Sequence, residues 1–153
     1  MSRCQILLGL FIALASLPSL AAEEDHAPPV TAQDVQILHR ARELLPDEGH
    51  WNRHDTRECP PEAPTLSLFC ALQKASIEVL GTYDHRRAAL QEVRFAIEKV
   101  SGGREFEHRL MDFNNLPETS LADIHRVLSL AADQVEARLK ALPGASPGRT
   151  PGK

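Results

Sequence analysis

The chain has 153 residues and a formal net charge of −4, from 17 Lys and Arg against 21 Asp and Glu. So mild an acidic excess exerts no global pull on nucleic acid or on an anionic membrane surface, and neither is expected as a partner. The length suits one small core rather than several domains, and no internal repeat is visible.

Residues 1 to 21, MSRCQILLGLFIALASLPSLA, combine Arg3, an apolar run from Ile6 to Leu17, and small residues at Ser19 and Ala21. This is the layout of a secretory signal peptide cut after Ala21. The run falls short of the roughly 20 apolar residues that a spanning helix needs, although an uncleaved anchor is the alternative. With the signal removed no membrane span is expected, and the destination is periplasmic or secreted. Cleavage removes one basic residue and no acidic one, taking the charge from −4 to −5. It also removes Cys4 and leaves the pair Cys59 and Cys70 in a compartment that permits disulfides. A bond between them would contribute about 3 kcal/mol by the chain-entropy model. Two free buried thiols are the alternative, because sequence does not fix the Cα separation that a disulfide requires.

Residues 22 to 29 are acidic and proline-bearing, and residues 143 to 153, PGASPGRTPGK, are rich in Pro and Gly. Both are expected to be disordered flanks of a helical domain over residues 30 to 142.

The first helix is predicted to begin at Thr31, with Asp34 in the capping-box position and Val30 and Val35 as a hydrophobic staple. Ile37, Leu38, Ala41, Leu44 and Leu45 then form one apolar stripe before Pro46. A long loop with four prolines follows, from Pro46 to Pro64. The second helix is predicted from Thr65 to Leu80, apolar on more than one face and therefore central, with Gly81 as its C-terminal cap. For the third, Asp84 is the expected cap and Ala89, Leu90, Val93, Ala96, Ile97 and Val100 the stripe, ending at Gly102 and Gly103. Phe106, Leu110 and Phe113 have the spacing of a short extra helix. Ser120, with Asp123 three residues on, caps the last helix, whose stripe is Leu121, Ile124, Leu128, Ala131, Val135 and Leu139. The expected fold is all-α, a small bundle of four main helices with a long loop between the first two and a short extra helix.

The loop carries HWNRHDTRECP, residues 50 to 60. His50 and His54 are spaced like two zinc ligands on one helical turn. Trp51 occupies the position where zinc proteases place their general base, and the flanking prolines and Gly49 work against a helix. Asp55, Glu58, His108 or His125 would have to supply a third ligand, without diagnostic spacing. The opposing reading is a polar loop anchored by a buried Trp51. Cys70 sits inside an apolar helix, which makes a thiol inert rather than nucleophilic, so no catalytic residue is assigned and no cofactor is expected. His85, Arg86 and Arg87 stand at the head of the third helix, where cations oppose the macrodipole. They are either a contact for an anion or a protein partner, or a solvated basic turn. Phe95 lies off its helix's stripe beside Arg94. Asn114 and Asn115 fit turn chemistry, with a loop ligand contact as the alternative.

Three segments in order, HWNR, FCALQKAS and DFNNLPETSLADI, resemble a small bacterial family of uncharacterised proteins. Its pattern is a tryptophan segment, a Cys-Ala-x-Gly-Ala-Leu helix, and a Trp-Asn-Asp turn leading into a capped final helix. Trp51, Cys70 and Asn114 match. Gln73 and Lys74 depart from the small-residue part of the cysteine motif, and Phe113 and Asn115 replace the tryptophan and aspartate of the turn. The resemblance implies no activity, and members typically lack a secretion signal. The expected function is an exported non-enzymatic protein that binds an unidentified macromolecular partner in the cell envelope. Metal binding through His50 and His54 is the alternative, and a purely structural envelope component is a third.

Overall fold

The computed structural model describes residues 28–142. The signal peptide expected over residues 1 to 21, nearly all of the segment 22 to 29, and the tail from residue 143 lie outside the described residues. Within them the chain forms five helices: α1 (Ala32–Glu43), α2 (Leu68–Leu80), α3 (Ala88–Val100), the short α4 (Arg109–Asn115) and α5 (Leu121–Ala141). The only extended pairing among the described residues is an isolated parallel bridge between Trp51 and Leu66. The all-α expectation holds, including the long loop and the short extra helix.

α5 lies along α1 and α3, α2 covers another side of α1, and α4 bridges α2 and α3. α1, α3, α4 and α5 bring their predicted stripes inward, whereas α2, expected to be central, packs on α1 and α4 at one side and leaves Ile77 49% exposed. Ile37 and Leu38, Leu68 and Leu72, Leu90, Val93 and Ile97, and Ile124, Leu128 and Val135 are all fully enclosed. Burying each such Leu, Ile or Val stabilises the fold by about 1.5–3 kcal/mol. Alanines fill the closest approaches: Ala41, Ala71, Ala75 and Ala89 have no exposure.

Two element starts differ from the sequence reading, and each has a physical cause. α2 begins at Leu68 rather than Thr65, with Ser67 accepting from the Cys70 N–H at 3.2 Å. Leu66 is drawn out of the helix because its N–H donates to His50 O at 2.8 Å and its carbonyl accepts from Asn52 N at 2.9 Å. α3 begins at Ala88 with Arg87 as N-cap, not Asp84. Asp84 closes a local turn instead, accepting from the Arg86 N–H at 2.9 Å. The acceptor for the first turn of α3 comes from another helix, from Asp34 of α1, which accepts the Ala89 N–H at 3.1 Å.

Asp34 therefore serves two helix termini. Its Oδ2 accepts from the Thr31 N–H and hydroxyl, both at 2.8 Å, so the start of α1 is capped as its sequence predicts. Its Oδ1 takes the Ala89 N–H and stands 3.0 Å from Arg87 Nε. That last contact is an ion pair without hydrogen-bond alignment, while Arg87 Nη2 donates to the Thr31 hydroxyl at 2.9 Å. The carboxylate has 0% exposure, so a buried negative charge is held by one cation, two backbone donors and a hydroxyl. Glu92 repeats the pattern on α3, buried against Arg138 of α5 at 2.5 Å.

Asp34→Ala leaves two helix starts without their acceptor and is expected to cost about 3–5 kcal/mol, as removing one member of a buried ion pair does. Arg87→Ala leaves the buried carboxylate its three hydrogen-bond donors but no cation and should cost about 3 kcal/mol, the low end for breaking a buried pair. Urea unfolding of the two variants measures both, and equal losses would contradict the dual-cap role.

Candidate functional site

The long loop is fastened to α4 by two consecutive amides. Asn114 Oδ1 accepts from the Trp51 indole N–H at 2.8 Å and from the Leu68 N–H at 3.0 Å. Its Nδ2 donates to Asn52 O at 2.9 Å and to Asn115 Oδ1 at 3.1 Å. An amide has two acceptor and two donor sites, and all four are used. Leu68 N–H is one of the orphan donors in the first turn of α2, so Asn114 also caps that helix from outside. Asn115 continues the seam: it accepts from the Asp55 N–H at 2.7 Å and donates to Asp55 O at 2.9 Å. Trp51 is 4% exposed, as an anchor should be. Arg53 lies over its ring at 5.0 Å and donates to Pro117 O and Thr119 O at 3.0 and 2.9 Å. The Cys59–Cys70 disulfide, with a Cα separation of 5.3 Å, ties the far end of the loop to α2.

His50 and His54, the ligands of the alternative metal reading, each turn to other partners or to solvent. His50 Nδ1 turns to Asp47 Oδ1 at 2.7 Å, and this hydrogen bond holds the exposed Asp47 carboxyl below the usual carboxylate range. His54 is exposed, with its backbone N–H on the Asn52 side chain. Of the candidates for a third ligand, His125 Nε2 is engaged with Leu45 O at 2.7 Å and Asp55 is buried at the loop seam. Among the described residues no group of three or more His, Cys, Asp and Glu could hold a metal ion.

The basic turn at the head of α3 divides. Arg87 faces inward to Asp34. Arg86 is exposed. His85 opens onto a cleft of about 700 Å³ between the start of α2, the start of α3 and α4. This volume is within the range of small-molecule sites. Phe95, 45% exposed, belongs to a different groove, against Lys99 and Leu130.

The cleft gathers Arg57 from the loop, Arg94 from α3 and Arg109 from α4, with His85 and His108 and the single acid Glu107. Phe69, Tyr83 and Phe106 form its apolar walls, Phe69 and Tyr83 meeting edge to face with centroids 6.1 Å apart. Arg109 is neutralised by Glu98 at 3.0 Å. Arg94 is not neutralised by any described carboxylate: its Nη1 donates only to His85 O at 3.0 Å and Gln91 Oε1 at 3.5 Å, both uncharged. Arg57 Nη1 reaches only His108 Nε2, at 3.3 Å. Burial pushes the Arg94 guanidinium below its ordinary pKa, with Tyr83 opposing and Arg109 adding to the fall. Burial likewise raises the Tyr83 phenol, against the pull of Arg94 and Arg57, so both guanidinium groups act on the Tyr83 side of the cleft.

Arg57 is delivered there at a cost. Its φ of 64° is left-handed, a region that costs a residue with a Cβ about 1–2 kcal/mol. Asp55 Oδ1 holds the turn by accepting the Arg57 N–H at 2.6 Å, while Oδ2 of the same carboxylate is buried without a hydrogen-bond partner. Of the cleft residues, the sequence points to His85 as a partner contact and to His108 only as a possible third metal ligand. Arg57, Arg94 and Arg109 come from three separated segments, and no spacing rule joins them.

Asn114→Asp keeps the shape of the side chain but replaces two donors by an acceptor. It is expected to cost about 2–4 kcal/mol by setting one carboxylate oxygen, in place of Nδ2, against both Asn52 O and Asn115 Oδ1. Trp51 is the only tryptophan in the chain, so its emission should shift to the red as the loop loosens. A wild-type spectrum together with wild-type stability would show that the amide does not hold the loop.

A family model described as a family of unknown function, DUF6197, matches residues 29–134. Its span includes the tryptophan loop, Cys59 and Cys70, the paired asparagines and every cleft residue named above. No curated protein matches the chain, and no solved structure does. The resemblance to an uncharacterised family is thereby made definite, and the chain belongs to the family of unknown function DUF6197.

Proposed function

We propose that this is an exported protein of the cell envelope, periplasmic in a Gram-negative cell, that works by binding, and that its recognition site is the basic cleft at α2, α3 and α4. The supporting observation is Arg94: a half-buried guanidinium facing only neutral acceptors, with a second unneutralised guanidinium, Arg57, on the same cleft. A partly desolvated charge is unfavourable until an opposite charge joins it. An anionic group on the partner supplies that charge, and charge-assisted hydrogen bonds from arginine are among the stronger polar contacts. Export is supported by the leader-like sequence of residues 1 to 21 and agrees with the disulfide. The disulfide takes both described cysteines out of use as thiol nucleophiles.

Replacing chloride by acetate or phosphate at constant ionic strength should raise the melting temperature. At ten times Kd the stabilisation is about 1.4 kcal/mol, or about 4 °C for a domain of this size. Arg94→Met should abolish that response while leaving the anion-free protein at least as stable as wild type, since an unneutralised charge is removed and the stem is replaced. A wild-type protein indifferent to both anions sinks the reading, as does a variant that still responds. Protein recovered from the periplasmic fraction should begin at Ala22. Recovery from the cytoplasm with Met1 retained would overturn export.

A further inference from the structure

Resting on the anion-binding reading, we infer that the cleft takes a monocarboxylate carrying an aromatic ring, either a free aryl-alkyl acid or the C-terminal residue of a polypeptide ending in Phe, Tyr or Trp. The charge balance selects a monoanion. Glu98 neutralises Arg109, and Glu107 lines the cleft without pairing with Arg57 or Arg94, so both guanidinium groups stay unpaired while the formal count, three arginines against Glu98 and Glu107, leaves the cleft one positive charge. A dianion would bring more negative charge than the cleft can match, whereas one carboxylate satisfies the forked donor of a guanidinium.

The walls select the ring. Phe69 and Tyr83 already make an edge-to-face pair, and Phe106 brings a third ring to the same cleft. Arg104 stands over Phe106 at 5.5 Å, which holds that ring in place through its π face. An entering ring adds to an existing aromatic cluster, the geometry in which such pairs gain beyond simple area burial. The head group and the ring are thus recognised by different segments. The loop and α3 supply Arg57 and Arg94, while the rings come from the start of α2, the turn after it and the segment before α4.

The test uses the disulfide-intact protein and calorimetric titration with four probes: N-acetyl-L-phenylalanine, its uncharged amide, acetate and inorganic phosphate. N-acetyl-L-phenylalanine should bind at least about tenfold more tightly than each of the others, since a charge-assisted hydrogen bond and a buried ring each contribute on that scale. Arg94→Met should remove the difference between the acid and its amide, and Phe106→Ala the difference between the acid and acetate, with circular dichroism confirming that both variants fold. If acetate or phosphate binds as tightly as the aromatic acid, the aromatic-monoanion inference is overturned and the anion-binding reading survives. If no probe binds, both fall. An N-blocked peptide ending in Phe assigns the source: tighter binding than N-acetyl-L-phenylalanine points to a polypeptide C-terminus, and equal or weaker binding to the free acid, both within the inferred class.

Discussion

The arrangement of this protein depends on the side-chain amide of Asn114, which has 0% exposure and uses all four of its hydrogen-bonding positions. Two acceptances fall on one oxygen, from an indole N–H and a helix-start N–H. Two donations leave one nitrogen, toward a carbonyl and a neighbouring amide oxygen. The orientation of the amide is fixed by that network, because exchanging N and O would set donors against donors. No isosteric residue has the same functionality, and a half-satisfied network in the interior is worse than none. Through this one group the loop, the first turn of α2 and the end of α4 become a single body. Asn115 and Asp55 pass the constraint on to the turn that carries Arg57.

Asp34 does the equivalent work at the other end of the bundle, capping α1 locally and α3 from a distance. With aromatic residues only 5% of the chain, the core is built from Leu, Ile, Val and Ala, whose packing is forgiving about how helices slide. Buried polar contacts that cross between elements are not forgiving. Each requires a particular donor opposite a particular acceptor, so Asn114, Asp34 and the Glu92–Arg138 pair set the register that apolar packing leaves loose. The disulfide adds covalent constraint where the loop rejoins α2, on the same side of the latch as Arg57.

What the sequence disclosed, and what it withheld, follows from the range of the interactions. The caps at Thr31 and Ser120, the left-handed Gly81 at the end of α2, and the apolar stripes are local patterns of three or four residues, and they were legible. The burial of Trp51 and the pairing of Cys59 with Cys70 were legible too, from a lone aromatic in a polar loop and from the even count of cysteines that the expected cleavage would leave. The start of α3 was not, because its cap acceptor lies 55 residues upstream. Nor was the start of α2, where Leu66 is claimed by a bridge to the tryptophan segment. The His50 and His54 spacing suggested a metal pair only on the premise of a helix that the loop does not form; His50 finds Asp47 instead. The cleft was the least legible of all. Of the triplet His85, Arg86 and Arg87, adjacent in sequence, one faces the cleft, one faces solvent and one is drawn inward.

The distribution of unfavourable choices carries a further argument. Across the bundle, buried polar groups such as Asp34, Ser76, Asn114 and Thr119 find partners, as stability requires. One exception, Arg87 Nε, faces the Asp34 carboxylate without hydrogen-bond alignment, and the others lie around Arg57 and Arg94. Arg57 adopts a left-handed backbone that Gly or Asn would tolerate at less cost, the carboxylate beneath it keeps one oxygen unpaired, and Arg94 holds a partly desolvated charge opposite neutral acceptors. A sequence selected for stability alone would relieve these by Arg57→Gly, by a neutral residue at position 55, and by an apolar residue at position 94. The rigid latch makes them sustainable, because a loop fixed at Trp51, Asn115 and Cys59 cannot relax to withdraw Arg57. Local strain held by an otherwise well-satisfied scaffold is the pattern expected if the cleft is the binding site proposed above. The two arginines at the centre of the strain are those that present uncompensated charge to the cleft.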